Sequence, residues 1–379
     1  MIDFSQIPSP CYVMDEDLLA GNLEMIRETG RRAGVDVIPA LKGFAMWGVF
    51  PRIRPYVKGI AASSPNEARL GYEEMGVRAH AYAPAYTDGD FDGILRYSSH
   101  ITFNSLTQYH RFRERALRRR PAVSMGLRVN PELSQVETGL YNPCSPGSRL
   151  GLTDAQIGDT LPAGIEGLHV HALCESPAEA TLRLIEATEA RFGHLFPNLQ
   201  WINFGGGHLI TRKGYDADLL VNALLAFRAR YPHLRVILEP GAAFVWETGV
   251  LRATVEDVVI RNGIRTAILD VSFTAHMPDC LEMPYKPRIR GASDCRPGQQ
   301  AWRMGGNSCL AGDFTGDWSF RKEPYAGMTV IFEDMIHYTM VKTTFFNGVA
   351  HPSIGVYSRE KGFVLLKSFG YVDYKNRLS

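Results

Sequence analysis

The sequence has almost no net charge and lacks any long apolar run. Its 379 residues include 41 Lys and Arg against 40 Asp and Glu, which gives a formal net charge of +1. This balance gives no electrostatic reason to expect a nucleic-acid partner, because such partners are bound through an excess of positive charge. No run approaches the roughly 18 apolar residues that span a membrane, so we expect no membrane partner. The start of the chain, MIDFS, lacks the basic and apolar regions of a signal peptide, and we expect a cytoplasmic protein.

Cysteine pairs are also missing. Six cysteines are spread irregularly along the chain, and none of them forms a C-x-x-C pair. This spacing is typical of free thiols in a reducing compartment rather than of a disulfide framework. Any one of them could still be catalytic. The six are Cys11, Cys144, Cys174, Cys280, Cys295 and Cys309.

Short apolar runs alternate with helical patterns over the first two-thirds of the chain. Such runs are typical of strands that are buried on both faces of a parallel sheet. Eight regular strand–helix units favour a closed (β/α)8 barrel over a doubly wound open sheet, which is the alternative. The runs are 35–42, 59–64, 79–85, 100–105, 123–130, 166–173, 201–206 and 235–239.

After about residue 245 the pattern changes to strand-like segments that are separated by glycine, proline and short turns. This pattern predicts an all-β domain. Cys11–Val13 is predicted to add a strand to it, so that residues 1–13 and 246–379 form the β-domain and residues 14–245 form the barrel. The predicted strands are 248–260, 266–273, 328–332, 338–346 and 363–369.

Three signals lie at the predicted carboxyl ends of barrel strands, where barrel enzymes carry their chemistry. Lys42 closes the first run and is a candidate Schiff-base amine, or else a lysine that reaches solvent from a strand end. Gly205, Gly206 and Gly207 follow the seventh run, where bare amides can approach a phosphate or form a tight turn. Glu239 ends the eighth run, where a carboxylate can hold a protonated ring nitrogen. Together these signals point to pyridoxal 5′-phosphate.

Two histidines on the sixth run allow a competing interpretation. His169 and His171 share a strand face, and an H-x-H pair at a barrel strand end can ligate zinc in a hydrolase. The later strands end in glycine and Glu239 instead of further ligands, so we expect no metal. A ring that stacks on a cofactor, or a satisfied core histidine, is the preferred role. The basic run Arg111–Arg120 is predicted to be a solvated helix face.

In this order the residues resemble the fold type III pyridoxal-phosphate decarboxylases, which include the ornithine, arginine and diaminopimelate decarboxylases. Within that group the sequence is most similar to the carboxynorspermidine (carboxyspermidine) decarboxylases. The likeness covers nearly the whole chain. It rests on the motifs PALK (39–42), GLHVHALCE (167–175), NFGGGH (203–208), EPG (239–241), HMPD (276–279), LEMPY (281–285), SCLAGD (308–313) and FFNG (345–348).

The resemblance implies how the cofactor is held. Lys42 matches the lysine that forms the Schiff base, and His171 matches the histidine that stacks on the cofactor ring. The three glycines match the phosphate loop, and Tyr338 matches a tyrosine that contacts the phosphate. Glu239 matches the carboxylate that pairs with the ring nitrogen.

The resemblance also implies how the substrate is bound and protonated. Cys309 matches a cysteine that reaches the partner subunit's active site, which implies a homodimer, and it is the candidate proton donor. His276, Asp279 and Asp313, together with Glu239, are the implied substrate-binding residues. Of these, Asp279 and Asp313 resemble the acidic residues that receive the distal amine. The implied reaction decarboxylates carboxynorspermidine and carboxyspermidine to norspermidine and spermidine in polyamine biosynthesis.

Two departures keep alternatives open. Ala242 and Ala243 follow E-P-G where the wider group has an arginine, so that cation is lost or replaced. The strand of His171 ends in ALCE instead of the H-x-G-S form, which argues against ornithine and diaminopimelate as substrates. The alternatives are a diaminopimelate- or ornithine-type decarboxylase, an amino-acid racemase, a zinc hydrolase that uses His169 and His171, and a cofactor-binding regulatory protein without catalysis.

Overall fold

The computed structural model describes residues 2–136 and 138–379. The chain divides into two compact units, one formed by the chain up to Gly21 with Val245–Ser379 and the other by Asn22–Phe244. The first strand, β1 (Cys11–Asp15), and the start of α1 (Glu16–Ala33) belong to the former. The division of the chain into a barrel of residues 14–245 and a β-domain of residues 1–13 and 246–379 stays a prediction.

An eight-stranded parallel sheet forms the centre of the second unit, in the order β2-β9-β8-β7-β6-β5-β4-β3. The segment that contains β2 closes it, because Ala40 also forms a bridge to Ala61 in β3. The Leu41 N–H donates to the Ala61 carbonyl at 3.1 Å, and the Ala61 N–H donates to the Pro39 carbonyl at 2.9 Å. The predicted (β/α)8 barrel is therefore confirmed. Its strands are β2 (Asp36–Val37), β3 (Ile60–Ala62), β4 (Ala79–Tyr82), β5 (Ser98–Phe103), β6 (Ser124–Val129), β7 (Ile165–Val170), β8 (Trp201–Asn203) and β9 (Arg235–Leu238).

One large aromatic ring packs against residues of several barrel strands. Trp201 packs with Ile38 and Ile237 in a buried cluster. A Cβ atom added at Gly167 would lie 2.0 Å from this ring, and one added at Gly126 would lie 2.4 Å away. Gly167 on β7 and Gly126 on β6 thus make room for the indole, which a side chain at either position would displace.

The helices of this unit bury one face and expose the other. In α5, Ser105 caps the first turn by accepting the Gln108 N–H at 3.1 Å, and Phe112 is buried. Arg111 and Arg115, on the exposed face, form ion pairs with Asp88, so the basic run is a solvated helix face as predicted. The helices are α2 (Phe50–Ile53), α3 (Pro65–Leu70), α4 (Asp88–Tyr97), α5 (Leu106–Arg118), α6 (Asp154–Ile157), α7 (Ala178–Phe192) and α8 (Ala217–Arg230).

The other unit is built on a mostly antiparallel sheet of nine strands. Its strand β10 pairs with β1 in the antiparallel sense, and β16 pairs with β1 in the parallel sense, which confirms that the N-terminal strand completes the β-domain. The strands are β10 (Gly249–Arg261), β11 (Ile264–Leu269), β12 (Ala292–Asp294), β13 (Trp302–Gly305), β14 (Phe314–Phe320), β15 (Thr329–Glu333), β16 (Ser353–Ser358) and β17 (Gly362–Lys367). The short helices are α9 (Phe273–His276), α10 (Pro278–Glu282), α11 (Tyr338–Val341) and α12 (Tyr371–Leu378).

The strand predicted at 338–346 is wrong. The aromatic and β-branched residues there favour a strand, but α11 forms instead and is followed by a turn. The Thr339 hydroxyl is buried and donates to Asp279 at 2.8 Å, and the Phe345 ring packs against His351. These tertiary contacts override the local preference. Within the described ranges, no helix is both long enough and apolar enough to cross a membrane.

Candidate active site

A cavity of about 210 Å³ lies at the carboxyl ends of the barrel strands. Lys42, His171, Gly206 and Glu239, which the sequence placed on one rim, all line it. Each of them stands just after a strand or its closing segment, because the ends of parallel strands meet at one edge of a closed sheet. The structure therefore brings the predicted barrel residues together in one site.

The lysine of this cavity faces an imidazole. Lys42 Nζ lies 3.4 Å from His171 Nε2, and the Gly206 N–H donates to His171 Nδ1 at 2.8 Å. Because a backbone amide can only donate, Nδ1 is the acceptor and the ring proton is on Nε2, where it faces the amine. Lys42 reaches the solvent of the cavity, but the surrounding barrel wall desolvates it and, with the Arg128 charge, lowers its pKa. Burial likewise lowers the pKa of His171 well below its usual value.

A carboxylate on the same cavity is held by two donors. His169 Nε2 lies 3.1 Å from Glu239 Oε2, and the Asn203 side-chain amide donates to Oε1 at 2.6 Å. Burial alone would raise the pKa of Glu239, but its contacts with His169 and Asn203 outweigh burial and lower it. Burial lowers the pKa of His169, so the ring is a neutral donor to an ionised carboxylate. Such a carboxylate can keep a cofactor ring nitrogen protonated.

This arrangement also bears on the zinc interpretation. His169 directs Nε2 at Glu239, and His171 directs Nδ1 at a backbone amide, so the two rings serve different partners. No group of three or more His, Cys, Asp or Glu in the described part of the chain is arranged to hold a metal ion. Within the H-x-H pair, His169 therefore donates to the Glu239 carboxylate and His171 accepts from the Gly206 amide.

The three glycines pack where no side chain fits. A Cβ atom at Gly206 would lie 2.5 Å from the Glu239 carbonyl oxygen, and one at Gly207 would lie 2.5 Å from the Leu173 carbonyl. Gly207 also has a φ of +94°. The Gly205 N–H donates to Asn203 Oδ1 at 2.8 Å, so the amides of Gly205 and Gly206 both have acceptors inside the protein. Their role toward a phosphate stays a prediction.

One buried cation of the site, Arg128, was not predicted from the sequence. The Arg128 guanidinium lies over the Tyr82 ring, 4.4 Å from its centroid, and donates to the His171 carbonyl at 3.1 Å. Both residues line the cavity. The alternation of side chains along a strand could have indicated Arg128. It is the penultimate residue of β6, so its side chain lies on the same face as that of Asn130, which follows the strand end.

The predicted β-domain residues form a separate group within their own unit. Cys309 is exposed, and its N–H donates to Asn347 Oδ1 at 2.9 Å. Asp313 is buried, and its carboxylate accepts the Ser308 hydroxyl at 2.6 Å and the Thr274 N–H at 3.1 Å. Asp313 thus holds the loop that carries Cys309, and its role toward a substrate stays a prediction.

Asp279 is buried, and only one of its two carboxylate oxygens accepts hydrogen bonds from the described residues. Its Oδ2 accepts the hydroxyls of Tyr285 and Thr339, each at 2.8 Å, while Oδ1 has no hydrogen-bond partner among the described residues. A buried carboxylate oxygen without a donor is suited to a cation.

The other two predicted residues of this unit are a histidine and a tyrosine. His276 is fully buried and accepts the Ser272 N–H at Nδ1, and burial lowers its pKa to about 4. Tyr338 opens α11 and is half-buried.

No protein-family model matches the chain. The chain is 51% identical over 374 residues to a carboxyaminopropylagmatine decarboxylase of Synechocystis, a match that covers 99% of this chain and 96% of that protein. It is 38% identical over 385 residues to a carboxynorspermidine/carboxyspermidine decarboxylase of Campylobacter jejuni, with 99% of each covered. The crystal structure of a Campylobacter jejuni carboxynorspermidine decarboxylase in complex with norspermidine superposes with a TM-score of 0.89 at 37% identity and covers 98% of this chain and 100% of that one. The chain therefore belongs to the carboxynorspermidine/carboxyspermidine decarboxylase family.

Proposed function

We propose that this decarboxylase converts carboxynorspermidine and carboxyspermidine to norspermidine and spermidine, which is a step of polyamine biosynthesis. The observation that carries the proposal is the convergence of Lys42, His171 and Glu239 in one barrel cavity. A full-length relative at 38% identity bears the name of this activity, which supports the same substrates here.

A second substrate is favoured by a specific observation. The relative named carboxyaminopropylagmatine decarboxylase is 51% identical to this chain, a higher value than that of the Campylobacter jejuni relative. Its substrate carries the same carboxylated aminopropyl end, but its tail ends in a guanidinium group instead of an amine. Both tails are cationic, so the buried free oxygen of Asp279 is a suitable acceptor for either one.

The residues of the cavity fit pyridoxal 5′-phosphate. An amine with a lowered pKa suits its aldehyde, and a carboxylate held in the ionised form suits its ring nitrogen. We assign Lys42 to the aldehyde carbon, Glu239 to the ring nitrogen, His171 to the ring face, and the glycine loop and Tyr338 to the phosphate. When bound, the cofactor would supply an electron-withdrawing ring that accepts the electron pair left by the departing carboxyl group.

Each protein group has a defined protonation state for this reaction. Lys42 is shifted toward the neutral amine, which is the nucleophilic form. His171 stays uncharged and therefore does not repel a protonated ring. Replacing a carboxylate by hydrogen consumes one proton per turnover, so a donor must face the α-carbon. We assign this role to the thiol of Cys309, with the proton delivered to the carbon that loses the carboxyl group.

The proposal includes a homodimer in which Cys309 enters the partner's active site. The exposure of this thiol within its own unit supports that role. We also propose a cytoplasmic setting, which is supported by the six cysteines, all of which are free thiols. A racemase would need a second base opposed to Lys42, and a zinc hydrolase would need histidines that are not committed to protein partners, so both are less well supported.

Product identification tests the proposal. The holoenzyme is incubated in parallel with carboxynorspermidine, carboxyspermidine, carboxyaminopropylagmatine and diaminopimelate, and the products are identified by mass. We expect each turned-over substrate among the first three to lose the mass of carbon dioxide. Turnover of diaminopimelate alone would contradict the substrate class, and an isomeric product of unchanged mass would indicate a racemase.

A further inference from the structure

The loop that carries Cys309 is held from one side by a buried carboxylate. Asp313 accepts the Ser308 N–H at 3.1 Å, and its own backbone carbonyl accepts the Gly306 N–H at 2.7 Å. Its other carboxylate oxygen accepts the Thr274 N–H at the start of α9. These bonds fix both ends of the segment Gly306–Asp313 and attach it to α9. They leave Cys309, at the exposed turn of the loop, to be held by something else.

Asn347 supplies that second attachment. Its side-chain Oδ1 accepts the Cys309 N–H at 2.9 Å. The residue belongs to the motif Phe345–Gly348, which the sequence shares with the family and to which the proposed reaction gives no role. Two motifs that are far apart in the chain, at 308–313 and 345–348, are therefore joined by a hydrogen bond between these two residues.

The position of Asn347 is itself well fixed. Its backbone is left-handed, with a φ of +56°, a conformation that asparagine tolerates better than most residues. Phe345, two residues before Asn347, is buried and packs on the His351 ring with centroids 3.8 Å apart. The Thr344 N–H donates to the Ala275 carbonyl at 2.8 Å, so this segment is also attached to α9.

We propose that Asn347 is the positioning residue that fixes Cys309 for proton delivery. Asp313 and Asn347 hold the two sides of the Cys309 loop, and both connect it to α9, so the backbone that carries the thiol has one defined position instead of a range of them. The inference rests on the proposed role of Cys309 as proton donor. Asn347 itself transfers no proton and forms no bond in the reaction.

Deuterium uptake of the loop tests the attachment without reference to activity. In the full-length holoenzyme, Asn347→Gly keeps the left-handed backbone but removes the acceptor, so uptake by the Cys309 amide rises about fivefold, as expected for one lost hydrogen bond. Asn347→Asp keeps an acceptor oxygen and restores slow uptake. The matched control is Asn262→Gly at the exposed turn between β10 and β11, where the asparagine also has a positive φ of 51°. Equal uptake in wild type and Asn347→Gly would overturn the inference.

Kinetics then connect the attachment to the reaction. Asn347→Gly lowers kcat about fivefold and leaves KM unchanged, because the substrate is still bound while the donor is less well placed. Asn347→Asp recovers kcat, and Asn262→Gly matches wild type. A raised KM with wild-type kcat would overturn the positioning role, because Asn347 would then bind substrate. If Cys309→Ala keeps wild-type kcat, the proposed proton donor is wrong, whereas loss of activity in Cys309→Ala with wild-type kinetics in Asn347→Gly contradicts only the role of Asn347.

Discussion

The Nε2–H of His171 faces the amine of Lys42 at 3.4 Å, because the Gly206 amide occupies the other ring nitrogen. The tautomer of the ring is thus set by the glycine loop, and the proton it carries faces the lone pair of the lysine. This contact favours the neutral amine over the ammonium, since an ammonium has no lone pair to accept the Nε2–H. The glycine loop therefore influences the nucleophile through the imidazole.

Replacing Lys42 should remove both the cofactor linkage and the reaction. Lys42→Ala lacks the amine, so we expect the reconstituted protein to lose the yellow colour of the bound cofactor and kcat to fall by about 10²–10⁴-fold. Absorbance spectra and initial rates measure the two effects. Lys361→Ala, which removes an exposed lysine from the turn between β16 and β17, serves as the control for the loss of one lysine. A yellow and fully active Lys42→Ala would refute the assignment.

The charge of Glu239 should matter more than its size. Glu239→Gln cannot hold a proton on the cofactor ring nitrogen, so we expect kcat to fall roughly 10²-fold. Asn203→Ala removes the 2.6 Å hydrogen bond to Oε1, which raises the pKa of Glu239 and should lower kcat about fivefold. Rates are measured between pH 6 and 9, and unfolding curves show whether the fold persists. If both variants keep wild-type kcat, the carboxylate has no role at the ring nitrogen.

Two stacked histidines in the barrel predict a loss of stability in acid. The rings of His80 and His100 lie 3.8 Å apart, and burial lowers the pKa of His100 to about 4 and that of His80 well below its usual value. The folded state thus binds fewer protons than the unfolded state, so this stability is complete above about pH 6.5 and is lost as the pH falls toward 4.

The free energy of unfolding from urea titrations at pH 7.5 and pH 5 checks this expectation. The free energy of unfolding should fall between pH 7.5 and pH 5 in the wild type. We expect this fall to be smaller by about 2 kcal/mol in His100→Phe, whose side chain cannot titrate. The control is His194→Phe, which replaces an exposed histidine. An equal pH dependence in His100→Phe and wild type would show that the pair does not contribute.

The free oxygen of Asp279 predicts a binding defect. Asp279→Asn keeps an acceptor for the Tyr285 and Thr339 hydroxyls but loses the negative charge, so we expect KM for the polyamine substrate to rise about 10- to 100-fold with kcat largely kept. Steady-state kinetics measure the split between the two constants. Thr339→Val, which removes one internal donor and no charge, should change KM far less, and the opposite order would contradict the assignment.

Gly167 should tolerate no side chain beside Trp201. Gly167→Ala places a methyl group 2.0 Å from the indole, so we expect it to destabilise the protein by about 1–3 kcal/mol. Thermal and urea unfolding measure the loss. The double variant Gly167→Ala with Trp201→Phe should recover part of that loss, because the smaller ring leaves space for the methyl group. Strictly additive losses would contradict a direct clash.

The periodicity of the sequence predicted the barrel well, because most residues of its strands are buried and each strand overlaps a separate apolar run. The strand-end rule likewise predicted Lys42, His171 and Glu239, since closure of the sheet gathers strand ends on one rim. The β-rich unit was predicted less completely. Strand β13 is only four residues long, and residues 338–341 are helical because Thr339 is bonded to Asp279 from another segment.

The contacts between the site residues could not be predicted from local sequence patterns. The pairing of His169 with Glu239 joins β7 to the end of β9, two strands that are separated by β8. The two histidines of one motif serve different partners. Arg128 is an ordinary strand residue until the fold turns it over Tyr82. Asn347 holds Cys309 across 38 positions of sequence. Each of these contacts is set by tertiary geometry, and of Arg128 and Asn347 only Arg128 has a strand position that could have indicated its place in the site.

The most direct test of the central claim is the stoichiometry of carbon dioxide and product from carboxynorspermidine. Holoenzyme and the Lys42→Ala variant are assayed side by side, with product identified by mass. We expect one carbon dioxide and one norspermidine per substrate consumed by the holoenzyme, and neither from the variant. Substrate that is consumed without release of carbon dioxide, or equal release by Lys42→Ala, would contradict that expectation.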